Sequence, residues 1–242
     1  MARPKFLKLP KQVHQFLWWL GYELRPVFNH HWHLHQLQRL GFHPRTVIDV
    51  GVGFGTPVLY QAFPAAYHVL VEPLREFEPQ LKTILQTYRG QYFLAALGAK
   101  DEERVLYMDT TWPERGSLYK RTALEASGVL IPRKVPVTSI DALITQHDFQ
   151  PPFGLKIDAE GGEYEIIQGA RHVLRQTEFV IAEVAVADRF AAGYSFRDFI
   201  ELMHQQHFRV CEILDIGRSE SNTLTFLDVV FRRISPLPGN RQ

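Results

Sequence analysis

The chain has 242 residues, of which 45% are hydrophobic and 12% aromatic, and this is enough to bury one substantial core. Lysine and arginine total 27 against 26 for aspartate and glutamate, so no overall electrostatic field favours nucleic acid or an anionic membrane. The composition therefore predicts one α/β domain with an appendage, acting on a small or neutral substrate and not on nucleic acid.

Cys211 is the only cysteine, so no disulfide can form within the chain, and we expect a reducing compartment, the cytoplasm. The apolar run Phe16–Leu20 is too short for the core of a signal peptide or for a membrane span, so neither is expected. Its aromatic residues and the nearby lysines leave open a peripheral membrane contact of the N-terminal region. Packing onto the main domain, or onto the second subunit of a homodimer, is the commoner outcome for such residues.

Residues 5–40 show the spacing of two amphipathic helices, interrupted by glycine and proline, with no strand pattern. We predict an N-terminal helical appendage over residues 1–43, a main domain over 44–234 and a tail over 235–242. A histidine cluster surrounds Trp32, and a partly exposed, non-catalytic patch explains it better than a metal site. The cluster consists of His30, His31, His33 and His35.

From residue 46 onwards the pattern changes to short β-branched runs that alternate with helical segments. Such an alternation is typical of a mainly parallel, doubly wound sheet. The chain closes with two strands separated only by a short polar stretch, which predicts an antiparallel hairpin at the sheet edge. The predicted strands are Thr46–Val50, Val69–Glu72, Tyr92–Ala96, Gly154–Asp158 and Phe179–Val184, and the predicted hairpin pairs Arg209–Leu214 with Thr225–Arg232.

Residues 110–136 carry several prolines and glycines, and we predict that they form a long loop or lid. A substrate lid needs aromatic surfaces for the face of a sugar or macrocycle, and cations for a phosphate or carboxylate. An ordinary exposed loop is the open alternative. The residues of this segment that suit a lid are Trp112, Arg115, Tyr119 and Arg121.

The predicted strand Thr46–Val50 runs directly into glycines at alternate positions, Gly51, Gly53 and Gly55. Glycines there let the backbone approach a ligand at the carboxyl edge of the sheet, where open α/β folds bind their ligands. A dinucleotide fingerprint has glycine at its first, third and sixth positions, and the sixth position counted from Gly51 is Thr56. This departure weighs against NAD, while a tight strand-to-helix turn with no ligand stays open.

The second predicted strand ends in Glu72-Pro73, about twenty residues beyond the glycines, where a carboxylate can hold the two hydroxyls of a ribose. NAD and S-adenosylmethionine both contain such a ribose. Asp49 distinguishes between them, because an acid two residues before the first glycine can accept from the ammonium of a methionine moiety. Together these residues favour S-adenosylmethionine.

The most specific stretch is Leu155–Ala170, which has the pattern of a strand ending in acids, a glycine pair and an amphipathic helix. With five other segments it resembles the FkbM methyltransferase family, over residues 46–232. The Lys-x-Asp-x-Glu-Gly-x-Glu pattern that starts at Lys156 matches in full, whereas the family usually has asparagine in the glycine loop, where this chain has Val52-Gly53-Phe54. The other matching segments are Asp49–Gly55, Val71–Pro73, Ala95–Gly98, Gly116–Leu118 and Val135–Asp141.

The resemblance implies a class I, Rossmann-like, seven-stranded methyltransferase sheet with S-adenosylmethionine as the methyl donor. It also implies O-methylation of a hydroxyl on a sugar or glycan, a macrolide or a related natural product. An NAD(P)-dependent oxidoreductase, or a non-catalytic binding module on the same fold, is the alternative. The implied cofactor-binding residues are Asp49, Gly51, Gly53, Gly55, Glu72, Pro73, Ala96 and Leu97, and Ser117 joins the substrate candidates.

Methyl transfer to oxygen needs a group that removes the proton of the hydroxyl, because a hydroxyl is a poor nucleophile while it keeps its proton. We expect Asp158 and Glu160, which follow a central strand, to act in catalysis, Asp158 as that base or as a metal ligand and Glu160 as the alternative base. Acids so close together repel one another unless a cation relieves them. Lys156 is one candidate cation, and Mg²⁺ or Mn²⁺ held by Asp158 and Glu183 is the other. For Glu163 we expect only capping of helix amides.

Overall fold

Two β-sheets flanked by helices make up the part of the chain that the computed structural model describes, residues 32–122, 129–219 and 221–234. The helices are α1 Leu34–Arg39, α2 Pro57–Ala62, α3 Glu78–Thr87, α4 Ile140–Gln146, α5 Glu163–Gln168, α6 Arg171–Leu174 and α7 Phe196–Gln205. The strands are β1 Thr46–Val50, β2 Tyr67–Val71, β3 Gly90–Phe93, β4 Ala96–Leu97, β5 Glu102–Asp109, β6 Leu130–Thr138, β7 Phe153–Ile157, β8 Thr177–Ala185, β9 Phe208–Arg218 and β10 Leu224–Arg233. Short 3-10 turns span Arg75–Phe77 and Pro113–Arg115.

The larger sheet has seven strands in the order β3-β2-β1-β7-β8-β10-β9. Its pairings from β3 to β8 are parallel, and β10 runs antiparallel to both β8 and β9. β1 and β7 are buried at every position, as expected of central strands that are covered on both faces. The predicted doubly wound α/β sheet and its edge hairpin are confirmed. Of the predicted strand Tyr92–Ala96, only the first residues belong here, since Ala96 lies in the second sheet.

A smaller sheet of order β4-β6-β5 includes the last part of the long loop predicted over residues 110–136. Residues 130–138 form β6, which pairs antiparallel with β5, so the loop prediction is wrong for residues 130–136. Pro132 and Pro136 hide this strand in the sequence, because proline removes a backbone donor. They are tolerated here because β4 is two residues long and pairs only at the far end of β6, which leaves that edge free at both prolines in the described structure.

Each face of the larger sheet has its own apolar core. One face is covered by α4, α5, α6 and α7, and the other by α1, α2 and α3. At the second face, the ring of Phe179 lies 4.7 Å from that of Phe42 and 5.1 Å from that of Phe63, measured between centroids. Leu37 and Phe42 are buried there, so residues within the predicted appendage contribute to the main core.

Other predictions for the two ends of the chain lie outside the described residues. These are the helices before residue 32, the apolar run 16–20, His30 and His31, and the tail over 235–242. His33 and His35 are exposed. None of the helices in the described ranges is long and apolar enough to cross a membrane.

Phe179→Ala should destabilise the fold, because it removes a fully buried ring against which two other rings pack. We expect the free energy of unfolding to fall by about 3 to 5 kcal/mol, the usual cost of such a cavity. Urea denaturation followed by circular dichroism measures the loss. Phe54→Ala, at a ring that is 64% exposed, is the matched control, and equal losses in the two variants would contradict this account of the core.

Candidate active site

The parallel register brings four predicted residues to one edge of the larger sheet. Val50 is paired with Val71 on β2 and with Ile157 on β7, and Ile157 is paired with Ala182 on β8. The next residue on each strand therefore stands at the same level. In spatial order these residues are Glu72, Gly51, Asp158 and Glu183.

Gly51 is the tightest point of this edge. Its φ is +70°, and a Cβ at this position would lie 1.7 Å from the carbonyl oxygen of Asp158. Only glycine satisfies both conditions. Gly53 and Gly55 also have positive φ, and a Cβ on Gly55 would lie 2.9 Å from the side chain of Ile84. The three glycines thus allow close packing of the turn against its neighbours.

Glu72 is held by backbone amides. Its Oε2 accepts from Gly53 N at 2.9 Å and its Oε1 accepts from Leu74 N at 2.9 Å. The side chain is almost completely buried, and burial raises the pKa of Glu72 to about 7. Each carboxylate oxygen can still accept a second hydrogen bond, so Glu72 can serve hydroxyl donors of a ligand.

A partly open pocket lies beside Glu72 and Asp158. Of the eight predicted cofactor residues, five line it: Gly51, Glu72, Pro73, Ala96 and Leu97. Asp49, Gly53 and Gly55 do not. The apolar part of the wall, which the sequence analysis missed, is supplied largely by Leu74, Leu106 and Leu118.

Asp49 is fully buried behind the pocket. Its Oδ2 accepts from the Tyr60 hydroxyl at 2.5 Å, and its Oδ1 lies 3.3 Å from Lys156 Nζ. Lys156 Nζ also donates to the Gly51 carbonyl at 3.1 Å and lies 3.5 Å from Asp158 Oδ2. The Asp49 carboxylate faces Tyr60 and Lys156 and not the pocket. The predicted direct contact of Asp49 with a ligand ammonium is therefore not possible in this geometry.

Lys156 stays protonated in this environment. Burial lowers the pKa of Lys156, but the carboxylates of Asp49 and Asp158 more than offset this, and the pKa lies above its ordinary value. A protonated lysine cannot accept a proton. Its role at this edge is to hold Asp158 and the Gly51 carbonyl.

Arginines relieve the other acids. Glu160 Oε2 lies 3.0 Å from Nη2 of Arg121 and 3.0 Å from Nη2 of Arg189, and Arg189 also pairs with Glu183. All four side chains are largely buried. The described residues contain no group of three or more histidine, cysteine or acidic side chains that could hold a metal ion. The predicted Mg²⁺ or Mn²⁺ site at Asp158 and Glu183 is not supported, because Glu183 is occupied by Arg189.

The turn after Asp158 is fixed by three hydrogen bonds. Glu160 has a φ of +48°, and its carbonyl accepts from the Ser117 hydroxyl at 2.6 Å. Glu163 Oε1 accepts from Ala159 N at 3.0 Å and from Gly161 N at 3.1 Å, as expected for a capping acid. Burial raises the pKa of Glu163 to about 7.

The predicted substrate residues do not line the pocket. Trp112 is 51% exposed, the carbonyl of Arg115 accepts from Arg121, and the buried Ser117 holds the Glu160 turn. Tyr119 packs beneath Arg104, and burial raises its pKa to about 12. Their neighbours Pro113, Glu114, Gly116 and Leu118 face the pocket instead.

Asp228 extends the row of acids, and the sequence analysis missed it. It is paired with Glu183 on β8 and with Asp215 on β9, and its Oδ2 accepts from Trp32 Nε1 at 2.7 Å. Burial raises the pKa of Asp228 to about 7. An acid within the mainly apolar strand 224–231 is a signal that sequence analysis could have used, whereas nothing local indicates the contact with Trp32.

A family model for the methyltransferase FkbM domain matches residues 49–210, more than half of the chain. The chain belongs to the FkbM methyltransferase family. The resemblance inferred from the motifs is thereby confirmed, and the matched family is one of methyltransferases and not of NAD(P)-dependent oxidoreductases. No curated protein matches the chain.

Three solved methyltransferase structures match the chain, each with little sequence identity. Methyltransferase FkbM of Methylobacillus flagellatus KT is 14% identical, with a TM-score of 0.46, over 78% of this chain and 43% of that one. The 1,6-didemethyltoxoflavin-N1-methyltransferase of Burkholderia thailandensis is 12% identical, with a TM-score of 0.45, over 84% of this chain and 78% of that one. Magnesium protoporphyrin IX methyltransferase of Synechocystis PCC 6803 is 10% identical, with a TM-score of 0.45, over 83% of this chain and 76% of that one. The chain thus spans less than half of the first of these proteins.

Glu163 should make the fold less stable as pH rises from about 4.5 to about 7. Its pKa is about 7 in the folded protein against 4.5 for an unperturbed glutamate. The folded state therefore keeps a proton that the unfolded chain releases, and this advantage disappears when Glu163 ionises. We expect the group to cost about 1 kcal/mol or more of unfolding free energy across this range.

Glu163→Gln is the matched variant, because glutamine can keep the hydrogen bonds to the two amides and to Tyr194 without titrating. Its unfolding free energy should depend less steeply on pH than that of the parent. Urea denaturation of the cofactor-free proteins at several pH values measures both slopes. Identical slopes would contradict the raised pKa.

Proposed function

We propose that the protein is an O-methyltransferase that acts on a hydroxyl of a sugar, a glycan or a related natural product, with Asp158 as the base. The observation that carries this proposal is the state of Asp158. Its side chain is 39% exposed and lines the pocket, whereas the neighbouring Glu160 and Glu183 are paired with arginines. A carboxylate that faces a pocket with a fixed cation behind it is suited to accept a proton from a bound hydroxyl.

The lining of the pocket fits S-adenosylmethionine. Glu72 can accept from the ribose hydroxyls, and the bare backbone of Gly51 allows close approach beside it. Apolar side chains, Leu106 and Leu118 among them, suit the flat face of the adenine ring. When bound, the cofactor supplies a methyl group that is activated by its sulfonium.

The chain itself has three tasks in the proposed reaction. It must align the acceptor oxygen, take its proton and keep water out. Asp158 takes the proton, and Lys156 keeps that carboxylate in place. Glu160 does not act as a base in this scheme, because two arginines bind it; it holds the turn that carries Asp158.

The acceptor class is supported by the family resemblance and by Trp112. This half-exposed ring comes directly before Pro113 and Glu114 in the sequence, and both of these residues line the pocket. It therefore offers an aromatic surface near the entrance for a sugar ring. A cytoplasmic location, a homodimer, a membrane contact of the N-terminal region and the domain boundaries stay predictions from the sequence.

Glu72→Ala should weaken cofactor binding by about 1 to 3 kcal/mol, because it leaves the ribose hydroxyls without a charged acceptor. Calorimetry with S-adenosylhomocysteine measures the dissociation constant. Glu76→Ala is the matched control, since this nearby glutamate pairs with Arg133 at the surface and does not line the pocket. An unchanged constant in Glu72→Ala would remove Glu72 from the site, and saturable binding of NAD with no response to either methionine cofactor would refute the assignment as a whole.

Asp158→Asn should preserve the fold and cofactor binding but lower kcat by about 100-fold or more, the usual worth of positioned proton transfer. The acceptor for the assay comes from a panel of sugars, glycolipids, macrolides and phenols tested with radiolabelled S-adenosylmethionine. Asp188→Asn, at an exposed aspartate outside the pocket, is the control. The assignment fails if Asp158→Asn turns over at the parent rate with saturating cofactor.

A further inference from the structure

A continuous chain of polar contacts runs from the core to Asp158. It starts at the hydroxyl of Tyr60, which donates to Asp49 Oδ2 at 2.5 Å. It continues from Asp49 Oδ1 to Lys156 Nζ over 3.3 Å, and from there to Asp158 Oδ2 over 3.5 Å and to the Gly51 carbonyl over 3.1 Å. We call Tyr60, Asp49 and Lys156 the buried chain.

The buried chain occupies a position where apolar side chains would serve stability better. Tyr60, Asp49 and Lys156 are each at most 5% exposed, and they lie among the apolar residues of the central strands. Taking two charges out of water is costly before their attraction is counted, and replacing a buried ion pair by apolar residues is often neutral or stabilising. The buried pair of Asp49 and Lys156 contacts Asp158, which lines the pocket. We therefore relate the pair to the function of the pocket and not to the stability of the sheet.

Within the buried chain, the negative charge of Asp49 balances the positive charge of Lys156. Asp49 Oδ1 accepts no hydrogen bond within the described structure, so the Lys156 ammonium is the group that balances it. With Lys156 neutralised in this way, the negative charge of Asp158 remains available to the pocket. If Asp49 lost its charge, Lys156 would instead neutralise Asp158.

We propose that Tyr60, Asp49 and Lys156 are positioning residues that fix Asp158 beside the glycine turn and leave its charge available, so that the pocket favours the sulfonium cofactor over its demethylated product. S-adenosylmethionine carries a positive charge on sulfur, whereas the sulfur of S-adenosylhomocysteine is neutral. The two molecules are otherwise nearly the same in shape. A pocket that presents the negative charge of Asp158 therefore favours binding of the positively charged donor relative to the neutral product. The inference rests on the proposed use of this cofactor.

The test compares the dissociation constants of S-adenosylmethionine and S-adenosylhomocysteine, measured by calorimetry on the full chain. In Asp49→Asn the cation of Lys156 is no longer balanced, so the ratio of the donor constant to the product constant should rise by about 10-fold, a modest effect for one charge at a partly exposed site. In Lys156→Met the ratio should change in the opposite direction, because the cation is removed. A role in folding alone would weaken both ligands equally and leave the ratio unchanged.

Tyr60→Phe is the second variant, because it keeps the ring and removes only the hydroxyl that orients Asp49. It should raise the ratio in the same direction as Asp49→Asn, by a smaller factor. Tyr88→Phe is its control, since the Tyr88 ring packs 5.5 Å from that of Tyr60 between centroids and its hydroxyl takes no part in the buried chain. A ratio that stays at the parent value in Asp49→Asn, Lys156→Met and Tyr60→Phe would overturn the inference. Absence of binding of either ligand to the parent would overturn the proposed function instead.

Discussion

The backbone contact between Gly51 and Asp158 is the constraint on which the rest of the site depends. Because no side chain fits between them, the glycine turn and the end of β7 are held at a fixed spacing. The register of β2, β1 and β7 carries this spacing on to Glu72. One wall of the pocket and its candidate base are therefore positioned by the sheet and not by mobile loops, and alignment of two reactants gains most from such rigid support.

The acids of the site differ in their partners, and this difference separates their roles. Glu160 and Glu183 are paired with arginines from two segments that come together only in the folded protein. Asp158 faces the pocket, with Lys156 behind it. Removing one partner of a buried pair leaves an uncompensated charge at a cost of about 3 to 5 kcal/mol. The arginines are therefore as necessary to this edge as the acids of the family motif.

The strands and the glycine turn could be predicted because their signals are local: β-branched runs, alternate glycines and acids at strand ends. The cations could not, since Arg121 and Arg189 belong to no motif and reach Glu160 only through tertiary packing. Asp49 shows a different limit. Its position before the glycines fits a ligand contact, but the direction of its carboxylate is set by Tyr60, on the helix that follows the turn, and by Lys156, on a neighbouring strand that is far away in the sequence.

Along residues 116–119 the side chains alternate between two tasks. Gly116 and Leu118 line the pocket, while Ser117 bonds to the Glu160 carbonyl and Tyr119 packs beneath an arginine. Inserting or deleting one residue here would exchange the two sets, placing a hydroxyl in the apolar wall and a leucine against a carbonyl that needs a donor. Evolutionary change can therefore substitute Leu118 far more easily than it can alter the length of the segment.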